Sequence, residues 1–176
     1  TAAGPVRATR LVVATGGLSI PQIGASDFGY RLARQFGHAV VETRPALVPL
    51  TFDAATWAPF APLAGVSLEV GIACGQGRGR GAFVEDLLFT HRGLSGPATL
   101  QVSSYWQPGD QLHINLLPAQ AIQDDLFTLR KQKPQSTMAQ YLNQHLPKRF
   151  AQAFNELQGW HRPLQEYRNQ DIEQIA

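Results

Sequence analysis

Residues 11–30 read LVVATGGLSIPQIGASDFGY. The aliphatic run Leu11-Val12-Val13-Ala14 stops at Thr15-Gly16-Gly17. An uninterrupted apolar run of this kind suits a strand buried on both faces, as in parallel α/β sheets. The two glycines allow a sharp turn and leave main chain bare, so that a ligand can lie against it. Ligands of open α/β sheets sit beyond the carboxyl ends of the strands. Thr15, Gly16, Gly17 and Ser19 are therefore candidate cofactor contacts. The residues alone leave an ordinary strand-to-loop turn open as the alternative. Beyond the turn, Ser19 and Pro21 stiffen the chain. Asp27 is placed to cap a helix from Phe28 to Phe36, with Tyr30, Leu32, Ala33 and Phe36 available for one face and Gly37-His38 closing it.

Working outward, the texture changes near residue 43. β-like runs at 46–51, 66–73, 82–90 and 111–116 are separated by turn material such as Ala58-Pro59, Gly75 to Gly81 and Pro108-Gly109-Asp110. Leu112, Ile114 and Leu116 alternate with His113 and Asn115, the pattern of a strand with one wet face. Short strands at this spacing predict a small antiparallel sheet or barrel. From 119 the period becomes helical. Ile122, Leu126 and Leu129 recur at i, i+4, i+7 before Lys133-Pro134 ends the helix. Thr137 with Gln140 forms a capping box for a second helix through Met138, Leu142 and His145-Leu146, stopped by Pro147. Phe150, Phe154 and Leu157 mark a third, closed near Gly159. Asn169 is placed to cap a further helical start at Asp171 to Ala176. The fold class expected is α+β: a small part of a Rossmann-type domain at 1–42, a β-barrel-like antiparallel insert at 43–118, and a three-helix insertion at 119–176.

The second informative stretch is Thr90-His91-Arg92-Gly93-Leu94-Ser95-Gly96-Pro97. A strand ends at Thr90, and Pro97 suits the first turn of a helix running to Ser104, with Ser95 or Gly96 as its cap. Two readings stay open. Thr90, Gly93, Ser95 and Gly96 either form a substrate-side anion cradle or shape a tight connection in which Ser95 only caps. His91 is the candidate acid/base catalyst, set against the commoner fate of a lone histidine as a structural side chain.

Other features are negative or bland. Gly75-Gln76-Gly77-Arg78-Gly79-Arg80-Gly81 tempts a phosphate-loop or RNA-binding reading. A P-loop would need Gly-Lys-Ser/Thr leading into a helix, and a hairpin tip between two β-like runs is the better fit. Glu85 and Asp86 are adjacent and would point to opposite faces of a strand. Arg130, Lys131 and Lys133 are basic residues at a helix end, where cations suit the dipole. Arg44-Pro45 before Ala46 to Leu50 suggests an edge strand or crossover tethered by Arg44. The one cysteine, Cys74, excludes an internal disulfide framework and is expected as a buried thiol. A net charge of +2 is too small to argue for nucleic acid by itself. No run approaches the roughly 20 apolar residues of a spanning helix. A soluble, cytoplasmic protein is expected, without a metal site or a Ser-His-Asp triad. The chain opens at Thr1 and shows no G-x-G-x-x-G after an N-terminal strand, so an internal fragment of a longer enzyme is expected.

The stretches VVATGGLSIP (12–21), FGYRLARQFGH (28–38), RPALVPL (44–50) and LLFTHRGLSGPATLQVSSYW (87–106) occur in this order, extended by LLP (116–118) and HLPKRF (145–150). Strand, ATGG, loop and short helix resemble the two-dinucleotide-type flavoproteins. The whole set resembles the BaiN/YhiN-type NAD(P)/FAD-dependent oxidoreductases, also described as aminoacetone oxidase-like. The sequence departs from that pattern in having Ile20 where an aromatic residue is usual, and Ala25 to Tyr30 in place of a glycine-rich GxGDGY. The resemblance implies redox chemistry by FAD, with NAD(P)H or oxygen as second redox partner and a small-molecule substrate. It places Thr15, Gly16, Gly17 and Ser19 beside FAD, and the insert over the flavin and substrate side. It also implies that the remaining parts of the FAD domain are needed for the cofactor to stay bound. The rival reading is a non-catalytic module contacting nucleic acid through the Gly-Arg loop and the 130–133 basic residues.

Overall fold

A computed structural model describes residues 4–75 and 80–175. The chain divides into two compact units, Thr1–Pro45 and Ala46–Ala176. In the first unit, a 3₁₀ turn at Pro21–Ile23 leads to α1 (Phe28–Gln35). The end of α1 is a Schellman closure: His38 N–H donates to the Ala33 carbonyl and Gly37 N–H to that of Arg34, with Gly37 at φ 78°. Its start differs from expectation. Asp27 occupies the cap position, but its side chain accepts no helix N–H and its carboxylate pairs with Arg31 at 3.0 Å instead. The run Leu11 to Ala14 forms no strand among the described residues, and Leu11 and Val12 are 76% and 86% exposed. A strand exists only by lateral pairing, and among the described residues every named strand falls between Leu50 and Asn115. The Rossmann-type sheet is thus not formed by these residues.

The second unit is built on five antiparallel strands: β1 (Leu50–Thr51), β2 (Ser67–Cys74), β3 (Gly81–Thr90), β4 (Gly93–Ser95) and β5 (Leu112–Asn115), in the order β1-β4-β3-β2-β5. The expected antiparallel sheet is present as a half-barrel with a two-residue first strand. The 46–51 run contributes only Leu50 and Thr51 to it. β2 alternates cleanly, burying Leu68, Val70, Ile72 and Cys74 and exposing Ser67 and Glu69. Leu68 lies opposite Leu87, and Phe89 opposite Leu94, so one face becomes the core. The short α2 (Ala54–Trp57) follows β1 and packs Trp57 into this core. α3 (Gly96–Val102) lies across β2 and β3 with Ala98, Thr99 and Val102 fully buried. Ile114 on β5 is half-exposed despite its apolar register, because β5 is an edge strand with one neighbour. β2 and β3 pair down to Cys74 opposite Gly81. The glycine-arginine segment at 76–79 lies outside the described residues.

The helices are α4 (Ile122–Gln132), α5 (Met138–His145), α6 (Lys148–Gln158) and α7 (Asn169–Ile175), with a 3₁₀ turn at Leu164–Glu166. The capping box is formed as expected: Thr137 Oγ1 accepts from Gln140 N–H at 3.3 Å and Gln140 Oε1 from Thr137 N–H at 3.0 Å. Gly159 closes α6 in the left-handed conformation. Asn169 does not cap α7. Its side-chain oxygen accepts from Arg130, and Asp171 accepts from Arg168 N–H in its place. Arg130 also donates to the Tyr167 carbonyl at 2.7 Å and lies over Phe127. That cation is a clamp between α4 and the approach to α7, so the 130–133 set is not a uniform solvated basic face. Helices and sheet share one core, joined where Phe150 of α6 meets Phe89 of β3 with ring centroids 5.4 Å apart.

Candidate functional site

The first turn folds back on α1. A Cβ added at Gly17 would meet the Tyr30 hydroxyl at 2.9 Å, and one added at Gly29 would meet Thr15 Oγ1 at 3.7 Å. Gly16 takes φ +71° and has nothing within 4 Å of where a side chain would project. Thr15 and Ser19 are exposed hydroxyls on either side. The turn therefore presents bare main chain at Gly16, open space above it and two hydrogen-bonding hydroxyls. That donor set fits a flat, polar-edged group such as a flavin cofactor.

The second turn is occupied by its own framework. Thr90 Oγ1 donates to the Gly93 carbonyl at 2.9 Å and accepts from Arg92 N–H at 3.3 Å. The Thr90 carbonyl accepts from the Trp57 indole at 2.8 Å, and the Arg92 carbonyl accepts from Phe52 N–H at 3.1 Å. Gly93 is pressed against β1, where a Cβ would fall 2.0 Å from the Leu50 carbonyl oxygen. Gly96, at φ +86°, is pressed against the β3 backbone, 2.7 Å from the Asp86 carbonyl oxygen. These glycines serve close packing of main chain on main chain.

Ser95 is not the cap. It holds the cap position, extended and paired opposite Leu88, but its hydroxyl accepts no helix N–H. An N-cap side chain bonds the N–H of the second or third helical residue; the second here is Pro97, which has none, and the third, Ala98, does not donate to Ser95. Ser95→Ala is therefore expected to change stability by less than about 0.5 kcal/mol, the range of substitutions that remove no specific interaction. A thermal melt shifted by more than a few degrees would show an unrecognised role for the hydroxyl. His91 stands exposed at the tip of the turn, with no hydrogen-bond partner among the described residues.

A feature that motif reading missed lies between the sheet and the helices. A groove of about 820 Å3 is lined by Ile72, Phe83 and Ile114 on the sheet, Tyr141 and Phe154 on the helices, and Trp160 just after α6. Its tyrosine is committed: Tyr141 Oη donates to Asp125 Oδ2 at 3.0 Å, and burial, then Asp125, push its phenol well above the usual range. Aromatic residues on separate helices gave no local signal of this meeting. Cys74 is buried as expected. Its thiol is 3.9 Å from Asp110 Oδ2, and burial followed by that carboxylate raises its pKa.

No helix of the described residues is long and apolar enough to cross a membrane, and no group of three or more metal-ligating side chains occurs among them. Residues 44–176 match the family model described as HI0933-like protein barrel and H2TH domain. A ribosomal RNA dihydrouridine synthase of Escherichia coli is 47% identical over 148 residues, covering 84% of this chain and 36% of that protein. The protein of the same name from Haemophilus influenzae is 42% identical over 148 residues, 83% of this chain and 35% of its own length. A 3-dehydro-bile acid delta(4,6)-reductase of Clostridium scindens is 29% identical over 162 residues, 85% of this chain and 38% of that protein. The chain thus spans little more than a third of the curated relatives it matches. With its sheet, its helices and its motif order in agreement, the chain belongs to the HI0933-like, BaiN/YhiN-type flavoprotein family.

Proposed function

We propose that this chain is part of an FAD-dependent reductase acting on a carbon–carbon double bond conjugated to a carbonyl, with uridine in ribosomal RNA as its substrate. The observation that carries the substrate is the 47% identity to a ribosomal RNA dihydrouridine synthase across 84% of this chain. The names of the relatives support the reaction class. Dihydrouridine is uridine with two hydrogens added across C5=C6, and a 3-dehydro-delta(4,6) bile acid carries double bonds conjugated to its ketone. In each case saturation takes a hydride equivalent at the carbon remote from the carbonyl and a proton at the nearer one.

Bound FAD, reduced by a nicotinamide nucleotide, supplies that hydride equivalent. Thr15, Gly16, Gly17 and Ser19 hold it through bare main chain and hydroxyls. In this reading residues 1–42 belong to the FAD domain, 43–118 to the barrel-like insert and 119–176 to the helical insertion. The insert covers the flavin and substrate side, with His91 as the proton donor at C5. A ribosomal RNA substrate makes the enzyme cytoplasmic. The rival binding module is less well supported, because Arg130 is spent on Tyr167 and Asn169.

The test uses ribosomal RNA from a strain lacking the gene, incubated with the full-length polypeptide, FAD and NADPH or NADH. Nucleoside mass spectrometry is expected to show a uridine heavier by about 2 Da, the mass of the two added hydrogens that the electron and proton balance requires. Flavin-loaded protein that leaves every uridine unreduced would overturn the substrate.

A further inference from the structure

One surface of the barrel unit is not used by the flavin assignment. Phe52 follows β1, and its ring lies parallel to that of Trp57, with centroids 4.8 Å apart and planes at 9°. Trp57 in turn stacks on Phe89 at 5.9 Å and 18°, and Phe89 rests on Phe150. The stack is rigid from within. The Trp57 indole donates to the Thr90 carbonyl, and Phe52 N–H donates to the Arg92 carbonyl. Trp57 is 5% exposed but Phe52 is 42% exposed. Phe52 is the outermost ring of a preorganised column.

Two arginines are tied to this stack through its own contacts. Arg92 sits in the turn that receives Phe52 N–H, and its guanidinium has no acidic partner among the described residues. Arg149 precedes Phe150, the ring that meets Phe89, and donates to the Pro62 carbonyl; it has no acidic partner among the described residues. The neighbouring carboxylate, Asp53, is engaged in capping: it accepts from Thr56 N–H at 3.0 Å, and its hydrogen bonds to Thr56 hold its pKa low.

We infer that Phe52, Arg92 and Arg149 form a platform for an unpaired base of RNA, the base extending the Phe52–Trp57–Phe89 column and its phosphates meeting the two guanidinium groups. The inference rests on the ribosomal RNA reading above for the partner and on the ring geometry for the mode. Exposed aromatic faces hold successive bases regardless of sequence, and unpaired arginines supply the salt-dependent attraction to phosphate. An enzyme that reduces a base must first take it out of the stack, which such a column rewards.

The test measures binding of a fluorescein-labelled single-stranded oligoribonucleotide, and of its duplex, to the full-length polypeptide by anisotropy across a salt series. Phe52→Leu is expected to weaken single-strand binding about tenfold, the scale of losing one stacked base. Arg92→Gln, exposed and remote from the core, is expected to flatten the log–log salt slope by about 0.7, one phosphate contact on a single strand. Parent-like affinity and slope in both variants, with unchanged melting temperatures, overturn the platform. Duplex bound as tightly as single strand overturns it as well. The reduction reading fails separately: affinity lost in Phe52→Leu while the parent reduces no uridine leaves the platform standing and removes the substrate.

Discussion

Gly93→Ala is expected to cost the barrel unit about 4 kcal/mol or more, the range reserved for substitutions that collide with main chain or strain a special backbone conformation. An added Cβ would lie 2.0 Å from the Leu50 carbonyl oxygen and 2.9 Å from the Thr51 Cα. Neither atom belongs to a flexible side chain, so the whole of β1 must move. Gly93 also sits at φ +154°, which L residues rarely adopt. Moving β1 breaks its pairing of Leu50 with Leu94 and pulls away Phe52, whose N–H is held by Arg92. Domains of this size have only about 5–15 kcal/mol to lose. A fall in melting midpoint of about 10 °C or more is expected, or failure to accumulate as folded protein. Gly109→Ala is the matched control. Gly109 has φ +98° but nothing within 4 Å of an added Cβ, so only backbone strain of about 1–2 kcal/mol applies. If the two variants melt together, the clash with β1 is not what makes Gly93 a glycine.

The second large effect falls on the cofactor. In the full-length polypeptide, Gly16→Val is expected to lower the fraction of protein that retains FAD through gel filtration by tenfold or more. Gly16 holds φ +71° and faces open space. A β-branched side chain resists that conformation and fills the space assigned to the flavin. Its structural cost is confined to backbone strain of about 1–3 kcal/mol, because no protein atom lies within 4 Å of the added Cβ. Flavin absorbance of the purified variant, read beside its thermal melt, separates the two consequences. Full flavin occupancy with a collapsed melt would make this turn purely structural.

Much of the second unit was legible because its signals are local. The β-like runs at 66–73 and 82–90 sufficed to place β2 and β3. The i, i+4, i+7 spacing of Ile122, Leu126 and Leu129 sufficed for α4. Thr137 with Gln140 located the start of α5, since the capping box is satisfied within four residues. Closure of α1 by Gly37 and of α6 by Gly159 was legible for the same reason. Failures occurred where a residue's partner is distant in sequence. β4 is three residues long and β1 two, too short to carry a period. Each exists only because the other, with β3, completes its ladder. Leu11 to Ala14 carries a strand's composition, yet without a neighbour to pair with it stays unstructured as a strand.

The sequence by itself determined the family, through motifs whose order survives along most of the chain. It also located α1 and α3 to α6, because capping and periodicity act over single turns, but not the four-residue α2. Only the tertiary structure decided what individual polar and aromatic residues do. Ser95 holds the cap position without accepting a helix N–H, and Arg130 is a clamp because Tyr167 and Asn169 return to it. Phe52 became the end of an aromatic column because α2 folds Trp57 beneath it and β3 brings Phe89 to the other side. A side chain's role depends on which unpaired donors, acceptors and faces it meets across the core. Those meetings arise from long-range packing, which composition and spacing along the chain do not encode locally.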